Sequence, residues 1–229
     1  MKYEQELAAG KIKAVYNNFL VDIEMPDGKI EAAFCGAVET AEICKEDALV
    51  LLQVNAPERI VKYNVHFIKT NSGWVMVNPK YNRRLFVEAL VEKKMPDFLS
   101  CRNCRHLKTS EAQGADFELV DAEGEKYLVY VTSIYRKKGR TTLFPHNIDF
   151  FEVRMLEEMR RQAANGIKAY VVLIVPRDDC DSIKFAWDIN PQAAAVVYDA
   201  VQNGVKFVGY SCKIEENGIS LDKKMHIEY

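Results

Sequence analysis

Residues 167–175, IKAYVVLIV, constrain the fold more than any other stretch of the chain, because only Lys168 breaks the apolar run. A strand this apolar has no solvent face and must be covered on both sides. Its neighbours supply the cover. Upstream, residues 148–164 place Ile148, Phe151, Met155 and Met159 on one stripe and Arg154, Glu157, Glu158 and Arg161 on the other, the pattern of an amphipathic helix. Asn147 suits its cap, Asp149 its first turn and Gly166 its end. Downstream, PQAAAVVYDAVQN begins with Pro191 and is followed by Gly204, which marks a second helix. The strand VKFVGYSCKI comes next. Alternating strands and helices predict an α/β (α+β) unit with a mixed sheet flanked by helices.

Just before this unit lies a hairpin: GADFELV, the turn DAEGE, then KYLVYVTSIY. A turn centred on Glu123 sets 118 opposite 128 and 116 opposite 130. Asp116, Tyr130 and Thr132 then share one face. Asp116 is the acid of that face, and a strand aspartate is by itself ordinary hydrogen-bonded structure. The loop after the hairpin is basic: Arg136, Lys137, Lys138 and Arg140. With Lys80, Arg83 and Arg84 it predicts a phosphate-contacting patch, set against the plainer reading of a solvated charged loop.

The first 78 residues are β-rich. AVYNNFLVDIEM, KIEAAFC, ALVLLQV, YNVHFIKT and GWVMVN are short, separated by turn residues, and predict five strands of a small barrel or sandwich. The hairpin across Pro26-Asp27-Gly28 is the clearest. Tyr16, Phe19, Phe34 and Trp74 could stack bases, but strand aromatics usually pack inward and are assigned to the barrel core. From Pro79 the pattern turns helical, with Asn82 as cap and an end near Lys94, ahead of Pro96. The domain boundary is placed here, at 78/79. Residues 97–113 read as an irregular connector. Their Cys101-x-x-Cys104 with His106 invites a metal or redox reading, yet neither a second such pair nor a helix-opening position accompanies it.

Composition excludes extremes. Net charge is −2, hydrophobic residues make up 48% and charged residues 28%. The balance argues mildly against a strongly basic nucleic-acid binder and leaves room for a local patch. MKYEQELAAG lacks the apolar core of a secretory leader, and no run reaches membrane-spanning length. The expectation is a cytoplasmic protein, away from membranes, with reduced cysteines.

Three stretches together carry a family likeness: YNNFLVDIEMPDGKIEAAFC, VNPKYNRRLFVEAL, and LFPHNIDFFEVRMLEEMRRQAANGIKAYVVLIVPRDD with the later AVQNGVKFVGYS. In this order they resemble the sugar fermentation stimulation protein A (SfsA) family. The resemblance implies an N-terminal OB-like barrel over 1–78 and a nuclease-like α/β domain of the PD-(D/E)xK type over 79–229. It also implies DNA binding, a metal-dependent nuclease-type site and a role in sugar use. The family pattern sets an acid in the first hairpin strand, matched by Asp116, and Glu-x-Lys in the second, where this chain has Tyr130 and Thr132. His146 stands where the family favours aspartate, while Asn82 and Arg83 match.

Two carboxylates normally hold a hard divalent cation. With the Glu and Lys positions neutral, the expected protein is a weak DNA or RNA binder with a degenerate, silent nuclease site. Its contacts are expected from Lys80, Asn82, Arg83, Arg84, Arg136, Lys137, Lys138 and Arg140. The alternative is a nuclease using Asp116, the expected metal ligand, with Glu152, and only that reading calls for magnesium or manganese. A third is a protein or small-ligand interaction module. The oligomeric state stays open, a homodimer included.

Overall fold

The computed structural model describes residues 1–3, 6–16, 19–36, 42–108, 114–145, 150–215 and 218–229. The expected cap Asn147 and the residues His146, Ile148 and Asp149 lie outside them.

Six strands form the first sheet: β1 (Ala8–Val15), β2 (Leu20–Glu24), β3 (Ile30–Phe34), β4 (Leu49–Val54), β5 (Tyr63–Thr70) and β6 (Gly73–Met76). Their order is β3-β2-β1-β4-β5-β6, and a parallel β3–β5 pairing closes the first five into a barrel. The Pro26 hairpin forms as expected, pairing Leu20 with Phe34 and Glu24 with Ile30. The segment AVYNNFLVDIEM, expected as one strand, is the end of β1 and all of β2. Between them Phe19 takes φ 64 and reverses the chain. The sign of β1 is KIKAV, whose half-buried Lys11 and exposed Lys13 flank the buried Ile12. The barrel interior is mainly aliphatic, built from Ile12, Val21, Ile23, Val50, Leu52, Val65 and Ile68.

A 3-10 turn (Pro79–Tyr81) leads into α1 (Asn82–Val91). Asn78 caps the turn through its side chain, at 3.3 Å from the Lys80 N–H. Asn82, expected as the cap, is instead buried inside the helix, which stops three residues before Lys94. The second sheet has nine strands: β7 (Cys101–His106), β8 (Phe117–Asp121), β9 (Lys126–Ser133), β10 (Lys137–Lys138), β11 (Thr141–Phe144), β12 (Lys168–Val175), β13 (Ser182–Phe185), β14 (Lys206–Glu215) and β15 (Gly218–Glu228). Two helices complete the set, α2 (Phe150–Ala164) and α3 (Pro191–Gln202). The order is β10-β11-β13-β15-β14-β12-β9-β8-β7.

The apolar strand β12 lies between β9 and β14, parallel to both, and nearly all of it is buried. Central placement is what its composition demanded. The sheet is mixed, because β15 and β8 run antiparallel to their inner neighbours β14 and β9. The stretch 137–144, expected as a basic loop, forms the paired strands β10 and β11, and β13 and β15, which join them to β14, were not expected either. Their alternation is diluted by charged residues on the solvent side, as in KKMHIE. The connector CRNCRH is likewise a strand: β7 pairs with β8 at the sheet edge, exposed along most of its length. An edge strand needs no apolar pattern, and charged side chains there discourage further pairing.

One face of this sheet carries α1 and the barrel, with Phe67 and Met76 of the barrel packed into the same core as Phe86, Phe117, Val131 and Tyr210. Helices α2 and α3 cover the other face around Leu128, Val171, Leu173 and Phe207. A backbone bond from Met76 N–H to Pro176 O (3.0 Å) joins the two sheets. All six cysteines are free thiols. No helix among the described residues is long and apolar enough to cross a membrane.

Candidate functional site

The hairpin register is the one derived from its turn: Phe117 pairs with Val129 and Glu118 with Leu128. The ladder ends there: Asp116, expected within the strand opposite Tyr130, lies just before β8, in a bend where its N–H donates to Val129 O. Gly114 makes room for this. It adopts φ +76, and a Cβ there would stand 2.7 Å from the Met155 carbonyl of α2, so only glycine lets the strand start this close to the helix.

Asp116 is buried at 6% exposure, and its two carboxylate oxygens accept from different groups. Oδ1 takes the Arg83 guanidinium, Nε at 2.7 Å and the second nitrogen at 2.6 Å. Oδ2 accepts the Val131 backbone N–H at 2.9 Å. The backbone is held too: Asp116 N–H donates to Val129 O, and its carbonyl accepts from Leu107 N–H, both at 2.8 Å. A buried carboxylate needs such compensation. Arg83 can supply it because α1 lies across β9. The adjacent Asn82 fixes that contact by accepting the Ser133 hydroxyl at 2.6 Å.

Tyr130 and Thr132 are half-buried on β9, and neither carries a charge. Glu152 lies in the first turn of α2, half-buried. Among the described residues no three His, Cys, Asp or Glu side chains come together to hold a metal ion. Among the described residues Asp116 is a carboxylate already bonded at both oxygens, and Tyr130 and Thr132 add no charge to it. The Cys101–Cys104 pair stands on the edge strand β7, and His106 packs edge-on against the Phe117 ring.

The structure disperses the expected basic patch. Arg136 pairs with Glu42 at 3.0 Å, and Arg140 makes a two-pronged pair with Asp181. Lys137 reaches Asp179 at 2.5 Å. Asp179 also receives both prongs of Arg177, a buried arginine whose third contact is Tyr135 O at 3.0 Å. Burial alone would raise the Asp179 carboxyl, but bonds from Arg177 and Lys137 outweigh it and hold it well below the usual carboxylate range. Of that loop, Lys138 is exposed and without an ion-pair partner among the described residues, as is Lys80 before α1. The Arg177–Asp179 lock had no motif to announce it, since both residues sit in an ordinary-looking PRDD turn.

The barrel aromatics differ from expectation most. Trp74 packs partly into the shared core. Tyr16 and Phe19 are 49% and 42% exposed, and the half-buried Phe34 stacks on Phe19 at 5.6 Å. Strand alternation explains it: Val21, Ile23 and Ala33 point inward, so Leu20 and Phe34 must point out.

A family model described as "Sugar fermentation stimulation protein RE domain" matches residues 80–218. Proteins named "Sugar fermentation stimulation protein homolog" are similar along nearly the whole chain. The one from Rhodospirillum centenum is 26% identical over 233 residues, covering 99% of both chains. That from Desulfotalea psychrophila is 24% identical over 217 residues, covering 93% of this chain and 92% of the relative. Among solved structures, Pyrococcus furiosus SfsA in complex with Ca2+ superimposes with a TM-score of 0.88 at 17% identity, covering 100% of this chain and 98% of that one.

Proposed function

The chain belongs to the sugar fermentation stimulation protein family, and from that premise we propose that it binds DNA without cutting it. The observation that carries this reading is the state of Asp116. Its charge is met inside the chain by Arg83 and the Val131 N–H, and the positions that the family pattern gives to Glu and Lys, Tyr130 and Thr132 on β9, bring neither a second carboxylate nor a lysine. A site of this kind lacks the negative charge that binds a metal and the group that activates water. What it keeps is a scaffold edged by cations. Lys80 and Lys138, exposed and without an ion pair among the described residues, are the contacts assigned to DNA phosphates, while Arg83, Arg136, Lys137 and Arg140 of the expected set are held by acids of the chain. The relatives' name links the family to sugar use, and DNA binding is a means by which such a protein would regulate it.

Fluorescence anisotropy with labelled DNA over a salt series tests the reading. Affinity is expected to fall steeply with salt, and Lys138→Glu to lower the log–log slope by about 1. No binding at low salt would sink it.

A second reading has one specific motive: the Pyrococcus furiosus structure is titled as a Ca2+ complex. Under it, Asp116 and Glu152 would serve a metal-dependent nuclease. DNA cleavage with magnesium or manganese that disappears in Asp116→Ala would establish that reading over the first.

A further inference from the structure

The nucleic-acid reading has so far drawn nothing from the outer face of the barrel. There the Phe19 and Phe34 rings stack with centroids 5.6 Å apart and planes 28° apart, and one side of the pair is open to solvent. Phe19 is held in this position. Its backbone lies in the left-handed region at φ 64, uncommon for any residue but glycine and strained for a bulky one. Two backbone bonds fix the turn: Cys35 N–H to Phe19 O at 2.8 Å and Tyr16 N–H to Leu20 O at 2.9 Å. A strained backbone that keeps an apolar ring in water is not rewarded by folding alone.

Next to the rings lies a groove of about 520 Å³, bounded by Phe34, Arg59, Ile60, Asn64 and Lys80. It runs beneath the loop 55–62 that joins β4 and β5. Ile60 at its rim is fully exposed. Arg59 and Lys80 have no ion-pair partner among the described residues, against one acid on the rim, Glu58. Two acids of the adjoining strands face lysines, Glu24 with Lys13 at 2.8 Å and Glu31 with Lys62 at 3.7 Å, and Asp22 accepts the Tyr16 hydroxyl at 2.8 Å. The face thus offers stacked rings beside uncompensated cations. In five-stranded barrels of this topology, the surface between the first and the β4–β5 loops is the one that takes up oligonucleotides.

We propose that this face binds single-stranded DNA, with bases stacking on Phe19 and Phe34 and the backbone passing Arg59 and Lys80. The inference rests on the DNA-binding reading above and adds which form of DNA is bound, and where. The form follows from the rings. In a duplex the faces of the bases are covered by their neighbours, whereas an open strand presents them.

The test is anisotropy of the full chain with a labelled oligodeoxythymidylate of about 12 nucleotides and a duplex of equal length, at roughly 50 mM salt. The strand is expected to bind about 10-fold tighter than the duplex. Phe19→Ala should weaken strand binding on the order of 10-fold, and Phe19→Tyr should retain it, since a phenol stacks as well. Arg59→Glu should lower the salt slope by about 0.7. Thermal melts of each variant separate lost binding from lost folding. Equal affinity for strand and duplex, with Phe19→Ala binding unchanged and Lys138→Glu weakened, overturns this inference and leaves the DNA reading standing. Tenfold tighter binding of an oligouridylate overturns the choice of DNA. No binding of any DNA overturns both readings.

Discussion

Asp116 on the hairpin and His66 in the barrel are both buried polar groups, yet the fold treats them in opposite ways. Asp116 is buried as an ion, with a guanidinium and a backbone N–H placed on it. His66 is buried at 1% exposure among the rings of Tyr3, Phe67 and Tyr81, and its Nδ1 has no hydrogen-bond partner among the described residues. Burial pushes it down to about 4, so it stays neutral at ordinary pH. A third region contrasts with both: the Phe19–Phe34 face leaves apolar rings in water. The difference teaches where specificity was spent. The Asp116 carboxylate is answered from within the chain, while the barrel keeps an aromatic pair in water.

The largest expected effect sharpens the first half of that contrast. His66→Phe should abolish a pH dependence of stability that the native chain carries. The folded pKa lies below the unfolded value of about 6.5, so the unfolded chain binds the extra proton. Stability from this group is full above that pH and declines as pH falls toward 4, by roughly 3 kcal/mol. Urea midpoints across pH 4 to 7 would follow it. A native chain with a flat profile would break the contrast.

Next comes Arg83→Ala, which strips Asp116 of its counter-ion. A loss of about 2 kcal/mol is expected, below the value for a fully buried pair because the Arg83 side chain is 58% exposed. Asp116→Ala should cost a similar amount through the orphaned Val131 N–H. If either variant proved neutral in urea unfolding, the carboxylate would not be internally compensated.

Phe19→Gly probes the barrel side. Relief of the left-handed strain offsets the lost ring contact and the flexibility of glycine, so stability should stay within about 1 kcal/mol while strand binding drops. Calorimetry and anisotropy on the same sample would report the two separately. The smallest effect belongs to Arg140→Ala. Its pair with Asp181 is exposed on both sides, so the variant should unfold at the same denaturant midpoint as the native chain.

The β-hairpin shows how far residue patterns reach. Turn chemistry at DAEGE and alternation along KYLVYVTS determined the register, with Glu118 opposite Leu128. The run at β12 determined a central strand because nothing else can bury it. The N-terminal barrel followed from five short β segments, although one of them hid two strands. The aromatic positions went the other way. Tyr16, Phe19 and Phe34 have the composition of a core, and only the alternation about Val21 and Ala33 turned them outward.

By itself, then, the sequence determined the two hairpins, the central place of β12 and the existence of the three helices. Those choices depend on neighbours within a few residues and on burial periodicity, which the chain carries in its order. Only the tertiary structure decided what Asp116 meets. Arg83 lies 33 positions away from Asp116 and Arg177 lies 105 from Ser72, and no local pattern records contacts at such range. The packing of α1 across β9 delivers a cation to the buried carboxylate. That contact leaves the carboxylate with its charge already answered.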